Sequence, residues 1–462
     1  MTGTRVDLLH ASLKATLKVT LIATLAPAVL VAVDVDPQQP APQPLVNPAT
    51  FDPLRGIDAD GRIPQAKPSD LPDRDRWRYV PEGRIMPGDP VDRFLVSSFI
   101  APIFFYEEAI GAGVGMALTD IDFRNQRRQE FLGLFVAWTT QGQESYTAVW
   151  QRWLDKIEIP GGGVAIADRS WVRAIGGYER TRTRRFFGFG ADTTADDETS
   201  YTDEVSHARL QTERALPGDW VLSAGLGGEH RNLAGGYVKN VPLTEEIFPT
   251  QFAAGDNLTS LWGSAGVRYD TRDSVDSPYH GWSLGISWDG PLAASDQQHG
   301  GIVTARGTVA IPVPGIFHDG GIGDEENPPT DTIAFGAFVS GTHGELSYWA
   351  LPSLGGSDTL RGYLGDRFTD RAAWHASVEW RLWVISRGYA FSETIRIERL
   401  GLAPFVDVGS VADTPAQLQD SKLRQSIGIG FRAMFERTAV FRFDIAKSPE
   451  QIGVNFNFGM AF

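Results

Sequence analysis

Short runs along this chain alternate strictly between apolar and polar positions. The last run sets Ile452, Val454, Phe456, Phe458, Met460 and Phe462 against Gly453, Asn455, Asn457, Gly459 and Ala461. An earlier one sets Trp374, Ala376, Val378, Trp380, Leu382 and Val384 against His375, Ser377, Glu379 and Arg381. Successive side chains of a strand point to opposite faces, so a period of two predicts strands with one oily and one wet side. Comparable runs, separated by turn residues, recur from residue 94 to the end, roughly sixteen in all. Polarity does not orient every one. In 128–140 both Leu132, Leu134, Val136, Trp138 and the opposing Phe131, Gly133, Phe135, Ala137 are apolar or small.

After the first thirty-odd residues, no stretch is long and apolar enough for a membrane-spanning helix. A chain of this kind that crosses a bilayer must therefore do so as a closed barrel. The expected fold is all-β: a transmembrane antiparallel β-barrel over residues 94–462, oily faces to lipid and polar faces to the lumen. Register is then strongly set. Slipping the run from Trp374 to Val384 by one residue would push Glu379 and Arg381 into hydrocarbon, and a cation at the midplane of such a barrel costs about 2–4 kcal/mol.

The first part of the chain reads differently. Arg5, Lys14 and Lys18 precede an apolar core from Val19 to Val33, which predicts an export signal over residues 1–33. Residues 34–93 carry Pro37, Pro40, Pro42, Pro44, Pro48, Pro53, Pro64, Pro68, Pro72, Pro81, Pro87 and Pro90. Proline at that density blocks regular helix or strand, so the segment is expected to be a largely unstructured periplasmic linker.

Charge and composition narrow the functions. A formal charge of −15 argues against nucleic-acid binding, which needs clustered Lys and Arg. The absence of cysteine removes disulfides, thiolate metal sites and thiol nucleophiles. No Gly-x-Ser-x-Gly or His-Glu-x-x-His occurs, and His207, His230, His280 and His375 are scattered without ligand spacing. Gly111, Gly113 and Gly115 fit a small-residue strand better than a nucleotide loop. The acidic runs 192–198 and 324–326 read as solvated charge rather than calcium sites. Neither an enzymatic activity nor a cofactor or metal is expected.

One long segment between two strand-like runs is rich in Gly, Ser and Asp: Leu354-Gly355-Gly356-Ser357-Asp358-Thr359-Leu360-Arg361-Gly362-Tyr363. Long loops of this kind are often functional. Gly355-Gly356 followed by Leu360-Arg361-Gly362-Tyr363 resembles the signature loop of the bacterial surface-antigen family, the BamA/TamA-type outer-membrane barrels. Val378-Glu379-Trp380-Arg381, Phe405-Val406-Asp407-Val408-Gly409 and a terminal segment ending in Phe462 are similar to that family at similar spacing. The resemblance implies that the loop folds back into the lumen and sets its arginine against acidic groups on the wall. It also implies a role in protein insertion, translocation or membrane biogenesis in the outer membrane of a Gram-negative bacterium. The implied surroundings are outer-membrane lipid, the barrel-assembly machinery during insertion, and periplasmic partner proteins.

The candidate site is a lumenal loop lock of Arg361, Gly362, Tyr363, Glu379, Asp407 and Gly409. An arginine fork can satisfy two carboxylates at once, and glycines leave room for a loop to approach the wall. From spacing alone, an exposed loop arginine accounts for Arg361 equally well; the resemblance favours the lumen. Phe462 resembles the aromatic carboxy-terminal signal by which barrels are recognised for insertion.

Five strands are expected after the signature loop, which roots that loop on the extracellular side if the last strand ends in the periplasm. The segment from Pro312 to Thr330 then becomes a long periplasmic connection, which means either an insertion or a miscount, because periplasmic turns are usually short. Family members carry periplasmic POTRA modules ahead of the barrel, and nothing in this sequence has the length or periodicity of one. Two readings follow: an assembly or translocation barrel, or a passive or lipid-handling pore that keeps the fold. A surface hydrolase on the long loops ranks below both.

Overall fold

The structure, a computed structural model, describes residues 58, 60–62, 71, 76–82, 85, 98–107, 111–159, 162–252, 257–321, 325–390, 396–436 and 439–462. The expected export signal and most of the expected linker lie outside them.

The described residues contain one sheet of sixteen strands, each paired antiparallel to the next in chain order. They are β1 (Ser98–Glu107), β2 (Gly111–Asp120), β3 (Glu130–Thr139), β4 (Glu144–Trp153), β5 (Trp171–Phe186), β6 (Thr199–Ala215), β7 (Trp220–Gly235) and β8 (Leu258–Asp270). Then come β9 (Gly281–Ala294), β10 (His299–Val313), β11 (Asp331–Glu345), β12 (Ala372–Ile385), β13 (Arg399–Ala412), β14 (Arg424–Glu436), β15 (Ala439–Lys447) and β16 (Ile452–Phe458). β1 comes back beside β16 and brings the sheet round into a barrel. Every other neighbouring pair forms a hydrogen-bonded ladder; among the described residues none joins β1 to β16.

The alternation in the sequence becomes the inside and outside of this ring. On β12, Val378, Trp380 and Val384 are exposed, while His375, Ser377, Glu379 and Arg381 are buried. Exposed apolar side chains continue around the wall: Leu134, Leu226, Ile286, Val339, Val406, Ile429, Phe443 and Val454. On β3, where polarity gave no orientation, Leu134 and Trp138 face outward. An apolar surface this extensive on a closed sheet is a lipid-facing band. Aromatic clusters mark its two ends. Trp138, Tyr146 and Tyr178 pack together at one, with Trp138 Nε1 donating to the Tyr146 hydroxyl at 2.9 Å. Trp220, Tyr269 and Trp282 pack together at the other. Tyr and Trp suit such interfaces because one end of each is apolar and the other wet.

The chain enters β1 and leaves β16 at the same end. The connection 314–330 lies at that end too and is an insertion, since the β10–β11 ladder runs in register through to Val313 and Asp331. The strand count stands. Two expectations need correction. Met460 and Phe462 do not continue the lipid-facing row of β16. The strand stops at Phe458, Gly459 takes φ +81°, and the chain turns inward. Met460 then packs against the buried cluster of Trp383, Met434 and Val440, and the Phe462 ring lies where a side chain on Gly336 would otherwise sit. Within the span read as linker, Trp77–Val80 is a strand. These four residues lie between Pro72 and Pro81, are aromatic, β-branched or long, and find a partner strand in Val164–Ala167.

Candidate functional site in the barrel lumen

The connection 346–371 between β11 and β12 folds into the barrel rather than out from it. Its inner end is apolar. Leu354, Leu360, Tyr363 and Phe368 pack with Ala373 and Val411 of the wall, and Leu354, Leu360 and Phe368 are wholly buried. Burying these side chains is what draws the loop inward, and it carries Arg361 with them.

Arg361 is fully buried and all of its nitrogens have acceptors. Nε donates to Asp407 Oδ2 at 2.9 Å and Nη2 to Asp407 Oδ1 at 2.9 Å, a fork-on-fork pair with β13. Nη1 donates to Glu379 Oε1 on β12 at 2.7 Å and to Asp444 Oδ2 on β15 at 3.1 Å. Nη2 also donates to the Ser377 hydroxyl at 3.1 Å, and the backbone N–H of Arg361 donates to Asp407 Oδ2 at 3.0 Å. The guanidinium lies 3.3 Å above the centre of the Phe405 ring. Charge-assisted, bidentate contacts of this kind are the strong class of hydrogen bond, and a dry site makes them stronger.

Further charges balance the acids. Arg432 donates to Glu379 Oε1 at 2.8 Å and to Asp444 Oδ1 at 2.6 Å, and Arg381 Nε donates to Glu379 Oε2 at 3.2 Å. Arg381 Nη2 donates to the Phe462 carbonyl oxygen at 2.9 Å, which ties the inward-turned end to the same network. Ser377 donates to Asp407 Oδ1 at 2.6 Å. Three buried carboxylates thus face these three buried arginines, and a fourth, Arg442, lies 3.6 Å from Asp444 Oδ2.

The glycines shape the seat. Gly362 has φ +111°, and its Cα lies 2.9 Å from where a side-chain carbon on Gly453 would be. The loop backbone therefore touches β16 only because both positions lack a side chain. Gly409 leaves space for Leu354, and Gly428 leaves space for the Phe405 ring beneath Arg361. Tyr363 packs edge-on against Phe368. Near the loop tip, Arg442 donates to Ser357 O at 3.0 Å and Asn457 Nδ2 to Ser357 Oγ at 3.1 Å.

The structure thus brings Arg361, Gly362, Tyr363, Glu379, Asp407 and Gly409 into one neighbourhood. Phe462 reaches its edge through Arg381. Sequence reasoning did not identify Asp444, Arg432, Ser377 or Gly453. All were readable as lumen-facing from their alternation, but nothing in the sequence fixed their height in the ring. Among the described residues no group of His, Asp and Glu side chains is placed to hold a metal ion.

A sixteen-stranded barrel with an oily outside and a loop docked on its inner wall defines a transmembrane β-barrel of the outer-membrane class. The family model that matches the chain is the Omp85 superfamily domain, over residues 171–462. The chain belongs to the Omp85 superfamily. Among solved structures it is similar to BamA from Haemophilus ducreyi lacking POTRA domains 1–3, at 17% identity and a TM-score of 0.47, covering 79% of this chain and 70% of that one. It is also similar to CdiB from Acinetobacter baumannii, at 10% identity and a TM-score of 0.41, covering 80% and 67%. No curated protein matches it.

Proposed function

We propose that this protein is an outer-membrane insertion or translocation barrel of a Gram-negative bacterium, and that Arg361 holds its loop in the position that keeps the β1–β16 junction in order. The carrying observation is the contact of Gly362 with β16, the strand beside the one junction that has no ladder among the described residues. Through Arg361 the loop is bound to β12, β13 and β15, and through Gly362 and Ser357 to β16. Loop position and junction geometry are therefore mechanically linked. The reading assigns no catalytic step and no cofactor. It places the protein among outer-membrane lipid, with the barrel-assembly machinery as its partner during its own insertion and periplasmic proteins as partners in its work. Phe462 serves as the insertion signal while the chain is still unfolded, before its ring moves into the lumen.

Depletion in the native host tests this. Broad loss of outer-membrane proteins supports insertion or translocation. A change confined to solute permeability or lipid composition contradicts it and supports the passive or lipid-handling pore instead. The inward loop weighs against an unobstructed passive pore, because Leu354, Leu360 and Phe368 are fully buried where it packs on the inner wall.

A further inference from the structure

At the end of the barrel where β1 begins and β16 finishes, described residues that belong to no barrel ladder lie against the strand connections. Trp77–Val80 pairs antiparallel with Val164–Ala167, which pairs in turn with Lys156–Glu158. The latter two strands form a hairpin within the β4–β5 connection. Val164, Ala165 and Ile166 are all fully buried. Consecutive residues of a strand face opposite ways, so both faces of this small sheet are covered. Val80 and Ile85 pack on Val164 and Ile166, with Trp153 at their side.

Its polar contacts reach around the rim. Glu82 takes a bidentate pair from Arg127 of the β2–β3 connection at 2.9 and 2.7 Å and accepts from the Gly163 N–H at 2.9 Å. Arg76 pairs with Asp219 of the β6–β7 connection. Arg169, just past the hairpin, donates to the Arg272 carbonyl of the β8–β9 connection, and Asp168 Oδ2 accepts from the Val275 N–H at 3.0 Å. Earlier in the chain, Arg62 lies 3.5 Å from Glu325 of the β10–β11 connection, and Gly61 lies against Arg387 of the β12–β13 connection. The β2–β3 and β10–β11 connections are eight strands apart in a ring of sixteen, on opposite sides of the mouth.

We propose that residues 76–82 are a strap that closes this mouth in the resting protein, and that they leave the hairpin edge when the lumen opens to the periplasm. Three features make the strap removable. It contributes no residue to the sixteen-stranded sheet, so its departure breaks no barrel ladder. Its ladder is four residues long and is stopped by Pro81, which has no N–H to donate. Its main polar anchors, Arg76–Asp219 and Glu82–Arg127, retain some contact with water, unlike the dry network around Arg361. The inference does not depend on what the barrel inserts or translocates.

The test is conductance of the purified full chain in planar lipid bilayers, with heat-modifiable migration as the control for folding. Arg76→Ala/Glu82→Ala is expected to raise open probability about tenfold or more over the unaltered chain. The protein has no cysteine, so Tyr79→Cys with Ala165→Cys, at positions paired in the ladder, introduces a single cross-link. Added to the Ala variant, it should restore closure when oxidised and lose it again when reduced. Unaltered conductance in the folded Ala variant, or a rise that the oxidised pair fails to suppress, overturns the proposal. If the double Ala variant does not fold, Glu82→Gln alone is read by the same two criteria.

Discussion

The two ends of this barrel are filled by different means. From the loop end, chain enters the lumen around Arg361, whose side chain and acidic partners are shut off from water. At the opposite mouth, the strap is held by a four-residue ladder and by Arg76–Asp219 and Glu82–Arg127, whose side chains are 10–21% exposed. Exposure decides how much each arrangement resists removal. A buried arginine that loses its acids, or acids that lose their arginine, leave a charge without water or partner. An ion pair near solvent that separates is simply rehydrated. The lumenal dock is built to stay, and the strap is built to exchange.

The largest effect is expected from Arg361→Ala, which leaves buried Asp407 without a cation, while Glu379 and Asp444 keep Arg432. Breaking one buried pair commonly costs about 3–5 kcal/mol, so the variant should show a clearly lower urea midpoint and weaker heat-modifiable migration. Arg361→Lys keeps the charge but not the fork and should recover only part of the loss. Wild-type stability for Arg361→Ala would erase the contrast between the two ends. Next in size, Gly453→Val forces a side chain into the Gly362 contact. Overpacking of this kind costs about 1–3 kcal/mol, and the loss should be accompanied by greater protease access to the β1–β16 junction. Glu82→Ala should cost about 1 kcal/mol or less in unfolding while changing conductance strongly, a dissociation that the Arg361 site should not show.

The smallest effect is a pH dependence. Hydrogen bonds from Arg127 hold the Glu82 carboxyl below the usual glutamate range, and Arg76 does the same for Asp219. Both anchors contribute when the acids are ionised, so their hold is present at neutral pH. It is lost as pH falls below the ordinary carboxylate range and through these lowered values. Conductance should rise on acidification, and less so in Glu82→Gln. The groups around Glu82 are Arg127, which also pairs with Glu158, the Gly163 amide and the Tyr79 phenol.

Most of the barrel was legible because lipid and lumen impose a period of two on every strand. Glu379, Arg381 and Asp407 could be placed on the wet face from that period alone. The height of each residue in the ring was not legible. Asp444 is 83 positions from Arg361 and meets it only through the registers that carry β12 to β13, β14 and β15. Alternation misled at Phe462, because one glycine with positive φ turns the chain inside and reverses the face. The strap escaped notice because a proline-rich composition reports what the flanks cannot form. It is silent on a four-residue partner more than eighty positions away.

The central claim is that Arg361 and the acids of the wall bind one another inside the barrel. A double-mutant cycle on Arg361→Ala and Asp407→Ala, read from urea unfolding in lipid vesicles, tests it most directly. The account predicts a coupling of about 2–3 kcal/mol, at the upper end of what contacting residues show, with the double variant little worse than either single one. Additive losses with no coupling would contradict it.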